Sequence, residues 1–414
     1  MMSRVKPLIS LLLLLGMVCT LAPVGAQEEE VTISYLDFWT ELEEYMLESI
    51  AMFEEAHPGV TVERTTAPWN EAETVLKTNI AGGTPFDVAT YWPMYLSSFM
   101  ELNALKDLTP YIEADDGAWA ADLGPLMELG KYDDGYYAVP FKSIYAVLYY
   151  NKEVFEELGL EEPTTIAEFE AVMQTIQDET DMAPLVVKDG TTGWIVRWMF
   201  PALADEAGVW EAWKNGEIPA AGETEDIYRR PYEIAQRWFD NGFLYGGEGA
   251  AGISRDEVEI AFGNREVAIL AETNSEVQRI KDNADFEVGV MLFPSIVEPP
   301  AYYLFGGADG FFVGADAPDE AVEFIKFMTS PEMQAWWLDN AGTTPINPQV
   351  EIEDPVVAGF VEWNQYLYPF EFYSVSPEIS RYIDTSVSEL WTGRKTVDEI
   401  VADLEELRLE ALEG

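Results

Sequence analysis

Val31, Ile33 and Tyr35 alternate with polar neighbours, the two-residue period of a strand that buries one face. Past Asp37-Phe38-Trp39-Thr40 the period changes. Leu42, Tyr45, Met46, Ile50 and Phe53 fall at i, i+3, i+4, i+8 and i+11, a single apolar stripe along a helix. Pro58-Gly59 stops that helix, and Val60-Thr61-Val62-Glu63 opens a second strand. The only histidine, His57, falls in the turn between them, within FEEAHPGVTVE, and reads as a helix-to-strand turn residue rather than a catalytic base.

The alternation of strand and helix continues. Asp87–Thr90, Ala146–Tyr150, Val267–Ala271 and Gly310–Val313 are strand-like. Asn151 can cap a helix through Val154, Phe155 and Leu158, with Gly159 as its stop. Thr165 and Glu168 have capping-box spacing, as do Thr396 and Glu399 before the last helix. Ala321, Phe324, Ile325 and Met328 form another stripe; Ser330-Pro331 and Ser376-Pro377 open further helices, the second ended by Gly393. With no internal repeat and mostly short connections, the class is α/β.

Ahead of this pattern stands a different one. Arg4 and Lys6 precede the apolar run LISLLLLLGMVCTLA, and Val24-Gly25-Ala26 offers small residues for cleavage, so residues 1–26 read as a secretory signal peptide. Val18 is too large for a lipobox at Cys19, which favours cutting after Ala26. That cut removes the one cysteine, leaving neither a disulfide nor a thiolate nucleophile. The 76 acids against 23 bases give a net charge of −53. Phosphate backbones are repelled, which excludes nucleic acid as a partner, and anionic lipid surfaces are disfavoured. Without a GxSxG elbow, an HExxH helix or a P-loop, and with one histidine, a Ser-His-Asp triad or soft-metal site is not expected. No cofactor or metal is expected; EADDG at Glu113–Gly117 is acidic but lacks calcium-loop spacing.

Seven stretches, in order, carry a resemblance: FEEAHPGVTVE, AGGTPFDVATYW, YAVPFKSIYAVLYYNKEVFEELGL with EPTTIAEFE, FGNREVAILAE, FEVGVMLFPS, GGADGFFVGADAPDEAVEFIKFMTSPEMQ and WTGRKTVDEIVADLEEL. Together they resemble extracellular solute-binding protein family 1, the maltose-binding-protein-like carbohydrate receptors of ABC importers. The resemblance implies a two-lobe, periplasmic-binding-protein-like α/β fold with three inter-lobe crossings, expected near Pro140–Ser143, Met291–Pro294 and Thr343–Asn347. One lobe would hold residues 27–141 and 292–344, the other 142–291 and 345–414. It also implies a monomer outside the cytoplasmic membrane, which captures a sugar and delivers it to ABC permease subunits.

A neutral sugar needs flat rings for its C–H faces and Asp, Asn, Glu or Arg groups for its hydroxyls. Trp39, Thr40 and Glu41 follow the first strand, at the carboxyl edge where open α/β sheets bind ligands. Tyr91, Trp92 and Tyr95 follow the DVAT strand, Trp69 and Asn70 the second strand, and Tyr145 the first expected crossing. In the second lobe Trp194, Arg197 and Trp198 stand where the family presents an aromatic platform. Asn274 follows the AILA strand as a polar contact. Gly307 and Asp309 belong to GGADG, expected as a loop of little bulk with Asp309 as hydroxyl acceptor. Two alternatives remain open on the residues: a binder of a cationic solute such as a polyamine, favoured by the negative field, and a secreted glycoside-acting enzyme using paired carboxylates.

Overall fold

The computed structural model describes residues 30–68, 71–100, 102–188, 193–222, 226–304, 306–367 and 377–413. The expected signal peptide and the candidates Trp69 and Asn70 lie outside these residues. Ten strands stand among the described residues: β1 Val31–Asp37, β2 Val60–Thr66, β3 Val88–Tyr91, β4 Lys131–Tyr132, β5 Gly135–Tyr136, β6 Ala138–Asn151, β7 Ala183–Val186, β8 Val267–Thr273, β9 Val288–Met291 and β10 Gly306–Val313. β4 and β5 form a small hairpin; the rest join in the order β2-β1-β3-β10-β6-β8-β7, with β9 also on β6.

The local signals act where the sequence puts them. Asn151 accepts a hydrogen bond from the Val154 amide, and Gly159 ends that helix in the left-handed region. Thr165 and Glu168 close a capping box. His57 caps the helix Glu43–Ala56, its ring stacked 4.2 Å from that of Phe53.

β6 organises the molecule. Its first half, Ala138–Tyr145, pairs with β10, and its second half, Ala146–Asn151, pairs with β8 and β9. The expected crossing at Pro140–Ser143 is therefore no loop but the middle of one continuous strand. From Tyr145 onward successive side chains enter different cores: Tyr145, Val147 and Tyr149 face one, Ala146, Leu148 and Tyr150 the other. Burial on both faces is why this stretch reads as an unbroken apolar run.

The fold is two-lobed. One core gathers residues from Ile33 to Phe141 and from Phe311 to Ile346. Two others share the rest: Ala146–Val297 with Ile379–Leu404 in one, and Tyr145–Leu304 with Phe360 in the other. Met291, Phe293, Ile296 and Val297 all pack in the second lobe. The chain thus returns to the first core between Leu304 and Phe311, later than the expected Met291–Pro294. The reason is local: the Ile166 amide donates to the Ser295 carbonyl and the Ser295 amide to Thr164, tying this segment to the second-lobe helix Ile166–Glu179.

GGADG is correspondingly not a loop but the start of β10. Its glycines make room for a neighbouring strand. A Cβ at Gly310 would stand 2.5 Å from the Val139 carbonyl oxygen, beside the register shift at Asp309/Gly310. Gly310→Ala is expected to cost about 1–3 kcal/mol through forced separation of β6 and β10. A urea unfolding midpoint equal to that of the wild type would show that the strands give way freely.

Candidate ligand site at the strand edges

The register fixes where the strand ends meet. Tyr91, at the carboxyl end of β3, pairs with Gly310, which pairs with Pro140 on β6. Thr273, at the carboxyl end of β8, pairs with Ala146. β1 runs parallel to β3, and β7 parallel to β8. The carboxyl edges of both lobes therefore converge on Lys142–Tyr145, the kind of edge where open α/β sheets bind ligands.

On the first-lobe edge the buried Asp37 organises the turn after β1. Its Oδ1 accepts the Trp39 amide at 2.9 Å and the Thr90 hydroxyl at 3.1 Å, and its Oδ2 meets the Arg64 guanidinium at 2.9 Å. This turn drives Trp39 inward. The residue is 1% exposed, its ring is stacked on Phe141, and its Nε1–H donates to Asp309 Oδ2 at 3.0 Å. The Lys142 ammonium lies 3.3 Å from the same oxygen and 4.8 Å from the Trp39 ring centroid. Trp39, Asp309 and Gly307 are thus sealed at the crossing rather than presented on a wall. Tyr91 is also buried, and burial holds its phenol well above the usual range. Thr40 and Glu41 are exposed, and Trp92 and Tyr95 are partly exposed, with Trp92 packed 5.3 Å from Phe38 and 5.7 Å from Tyr95.

On the second-lobe edge the expected platform divides. Arg197 is fully buried, paired with Asp384 at 2.6 Å and donating to the Ser380 carbonyl. Trp198 stacks on Phe293 at 3.8 Å, and its indole N–H donates to the Pro294 carbonyl. Both serve the core. Trp194 stays partly exposed, with the Lys188 ammonium 5.5 Å from its ring. Lys188 in turn donates to both oxygens of the buried Glu272 at 2.8 Å.

Asn274 and Tyr145 form a clasp. Asn274 Oδ1 accepts the Tyr145 amide at 2.9 Å, while Nδ2 reaches the Ser143 carbonyl at 3.2 Å and the Thr344 hydroxyl at 3.3 Å. The Tyr145 hydroxyl donates to the Phe360 carbonyl. In this conformation both residues are buried and hold strands together.

Sequence reasoning missed Arg64, Lys142, Lys188 and Glu272, whose partners are distant in the chain. It also missed Tyr302, Tyr303 and Tyr366, partly exposed beside the second crossing, with Tyr303 ring-paired to Trp210 at 5.2 Å. A Tyr-Tyr pair just before the glycines of β10 was the available signal. Cavities elsewhere include one of about 450 Å³ lined by Ile166, Glu170, Arg230 and Val297 and one of about 600 Å³ near Ala183, at the opposite end of β7.

Two α/β lobes that share β6, with their strand edges facing a common crossing, make up a two-lobe, periplasmic-binding-protein-like fold. The chain belongs to the bacterial extracellular solute-binding protein family, whose sequence pattern matches residues 39–335. It is 24% identical over 330 residues to a multiple sugar-binding protein of Streptococcus mutans, covering 77% of this chain and 76% of that one. It is 26% identical over 284 residues to the sn-glycerol-3-phosphate-binding periplasmic protein UgpB of Pectobacterium atrosepticum, covering 62% of each. Among solved structures it superposes on apo RafE of Streptococcus pneumoniae with a TM-score of 0.75 at 21% identity, over 92% of this chain and 98% of that one. A raffinose complex of RafE gives the same TM-score at 22% identity, over 92% and 99%.

Asn274→Ala leaves the Tyr145 amide and Ser143 carbonyl buried without these partners, and is expected to cost about 2–4 kcal/mol. Asn274→Asp restores the acceptor but not the donor, and is expected to rescue little of that loss. An unchanged urea midpoint in either variant would show that the clasp is dispensable.

Proposed function

We propose that the protein is an extracytoplasmic receptor that captures a neutral sugar or oligosaccharide between its lobes and delivers it to an ABC permease. The observation that carries this reading is the state of the cations at the strand edges. Arg64, Lys142 and Lys188, and Arg197 in the core behind them, each face a carboxylate, from Asp37, Asp309, Glu272 and Asp384 respectively. A phosphate or uronate would have to compete with these carboxylates for their charge. Partly exposed Trp92, Tyr95, Trp194, Tyr302 and Tyr303, with the hydroxyl partners Thr40 and Glu41, suit a ligand of C–H faces and hydroxyls.

The lobes would comprise the two sets of residues that the separate cores group, with the first lobe's second segment beginning after Leu304. Because a ligand touching both edges binds the closed arrangement better than the open one, it would draw the lobes together. Trp39, Asn274, Tyr145 and Asp309 act in this reading at the crossing, as supports. Trp69 and Asn70 stay candidate contacts on sequence grounds. Export through a cleaved signal peptide, a monomeric state and binding without turnover belong to the same proposal.

The net charge of −53 favours a second reading, a cationic solute such as a polyamine. Calorimetric titration with neutral oligosaccharides, glycerol 3-phosphate and spermidine separates them. Saturable binding of a neutral sugar, recovered intact after prolonged incubation, is expected. Binding of spermidine alone, or of glycerol 3-phosphate alone, would overturn the choice of ligand, and shortened sugar would make the protein an enzyme.

A further inference from the structure

The two lobes carry the same side-chain arrangement at their edges: a lysine between a buried carboxylate and a tryptophan ring. In the first lobe Lys142 joins Asp309 to Trp39. In the second Lys188 joins Glu272 to Trp194. They differ in one respect. Trp39 is sealed in the core and its N–H is bound to the carboxylate, whereas Trp194 stays partly exposed.

We propose that Lys188 and Glu272 are positioning residues for Trp194, fixing its ring as the aromatic platform on the second-lobe edge. The inference rests on the sugar-receptor reading for its functional meaning, but its geometry stands separately. Trp194 opens the short helix Trp194–Arg197 after a connection from β7, so its backbone alone does not determine the ring plane. Gly193, just before it, has no room for a side chain: a Cβ there would stand 2.6 Å from the Ile383 carbonyl oxygen. The helix start is therefore pinned against Ile383 and Asp384, and the ammonium lies 5.5 Å from the ring centroid.

Glu272 holds that ammonium in place. It is fully buried at the carboxyl end of β8, receives Lys188 through both oxygens and also receives Arg255 at 3.3 Å. Arg255 meets Glu276 at 2.8 Å, and Glu276 meets Arg279. The lysine is thus anchored in an ionic network that spans β8 and the helices Arg255–Gly263 and Val277–Asn283. Burial lowers the Lys188 pKa, yet the Glu272 carboxylate at bonding distance favours the charged form. A fixed cation beside an indole ring restricts the ring to orientations that keep its face toward the charge.

The test uses the full protein labelled with 5-fluorotryptophan, and a double-mutant cycle. The 19F resonance of Trp194 is assigned by its loss in Trp194→Phe. Lys188→Met is expected to shift or broaden that resonance more than any other of the 13, and Lys188→Arg to restore it. Raffinose and other neutral oligosaccharides are then titrated into the wild type, Lys188→Met, Trp194→Ala and the double variant. Lys188→Met is expected to weaken binding about 2- to 30-fold, the span of a cation–π contact, and to have no further effect once Trp194 is alanine. A Trp194 resonance untouched by Lys188→Met would overturn the positioning role, as would an equal loss of affinity in the Trp194→Ala background. Absence of sugar binding by the wild type would instead defeat the receptor reading, while the 19F result still decides whether Lys188 orients the ring.

Discussion

One carboxamide settles the hardest problem in this fold. Where β6 leaves the first lobe's sheet and enters the second's, its backbone changes partners from β10 to β8 and β9. Buried peptide groups at such a junction must find hydrogen bonds or incur a cost comparable to losing one. Asn274 meets that requirement with an acceptor for the Tyr145 amide and a donor for the Ser143 carbonyl, while its Nδ2 also reaches the Thr344 hydroxyl. A carboxylate lacks the donor and an aliphatic side chain lacks both. Gln334 plays a related part, donating to the Phe141 carbonyl and accepting the Ile346 amide. The crossing strands are thus held by side-chain amides, and both strand edges take their positions from that junction.

The charge distribution then shapes what those edges can do. Bases are scarce in a chain with 76 acids, and those at the crossing are already engaged with carboxylates. A buried ion pair contributes little net stability, but losing one partner costs about 3–5 kcal/mol. The pairs therefore set geometry more than they raise stability: Asp37 shapes the turn that turns Trp39 inward, and Glu272 holds Lys188 beside Trp194. The remaining carboxylates are mainly solvated and keep the surface strongly negative.

How much of this was legible in the sequence follows from how far each signal reaches. Caps and stops act within a few residues, so Asn151, Gly159, the Thr165 box and His57 could be read directly. The α/β class followed from periodicity, and the two lobes from the family resemblance that the ordered motifs carry. The second crossing did not, because Met291–Val297 is bound to the second lobe by pairing with the Thr164–Ile166 segment, far away in the chain. The glycines of β10 read as a ligand loop because an absent side chain gives no hint of what approaches it; here it is the backbone of β6. Trp39, Arg197 and Trp198 followed the same logic. Position after a strand was visible, but the partners Asp309, Asp384 and Phe293 that draw them inward were not. The carboxylates that meet Arg64, Lys142, Lys188 and Arg197 are distant in the chain, so those pairings are set by the fold.

In the proposed receptor, ligand binds where the two carboxyl edges converge, not in the cavities elsewhere on the second lobe. Hydrogen–deuterium exchange, read by mass spectrometry with and without a saturating neutral oligosaccharide, tests it most directly. New protection is expected across residues 38–43, 91–96, 193–198 and 272–276 together, from both lobes at once. Protection confined to residues 165–170 and 295–298, which line the cavity of about 450 Å³, would contradict it.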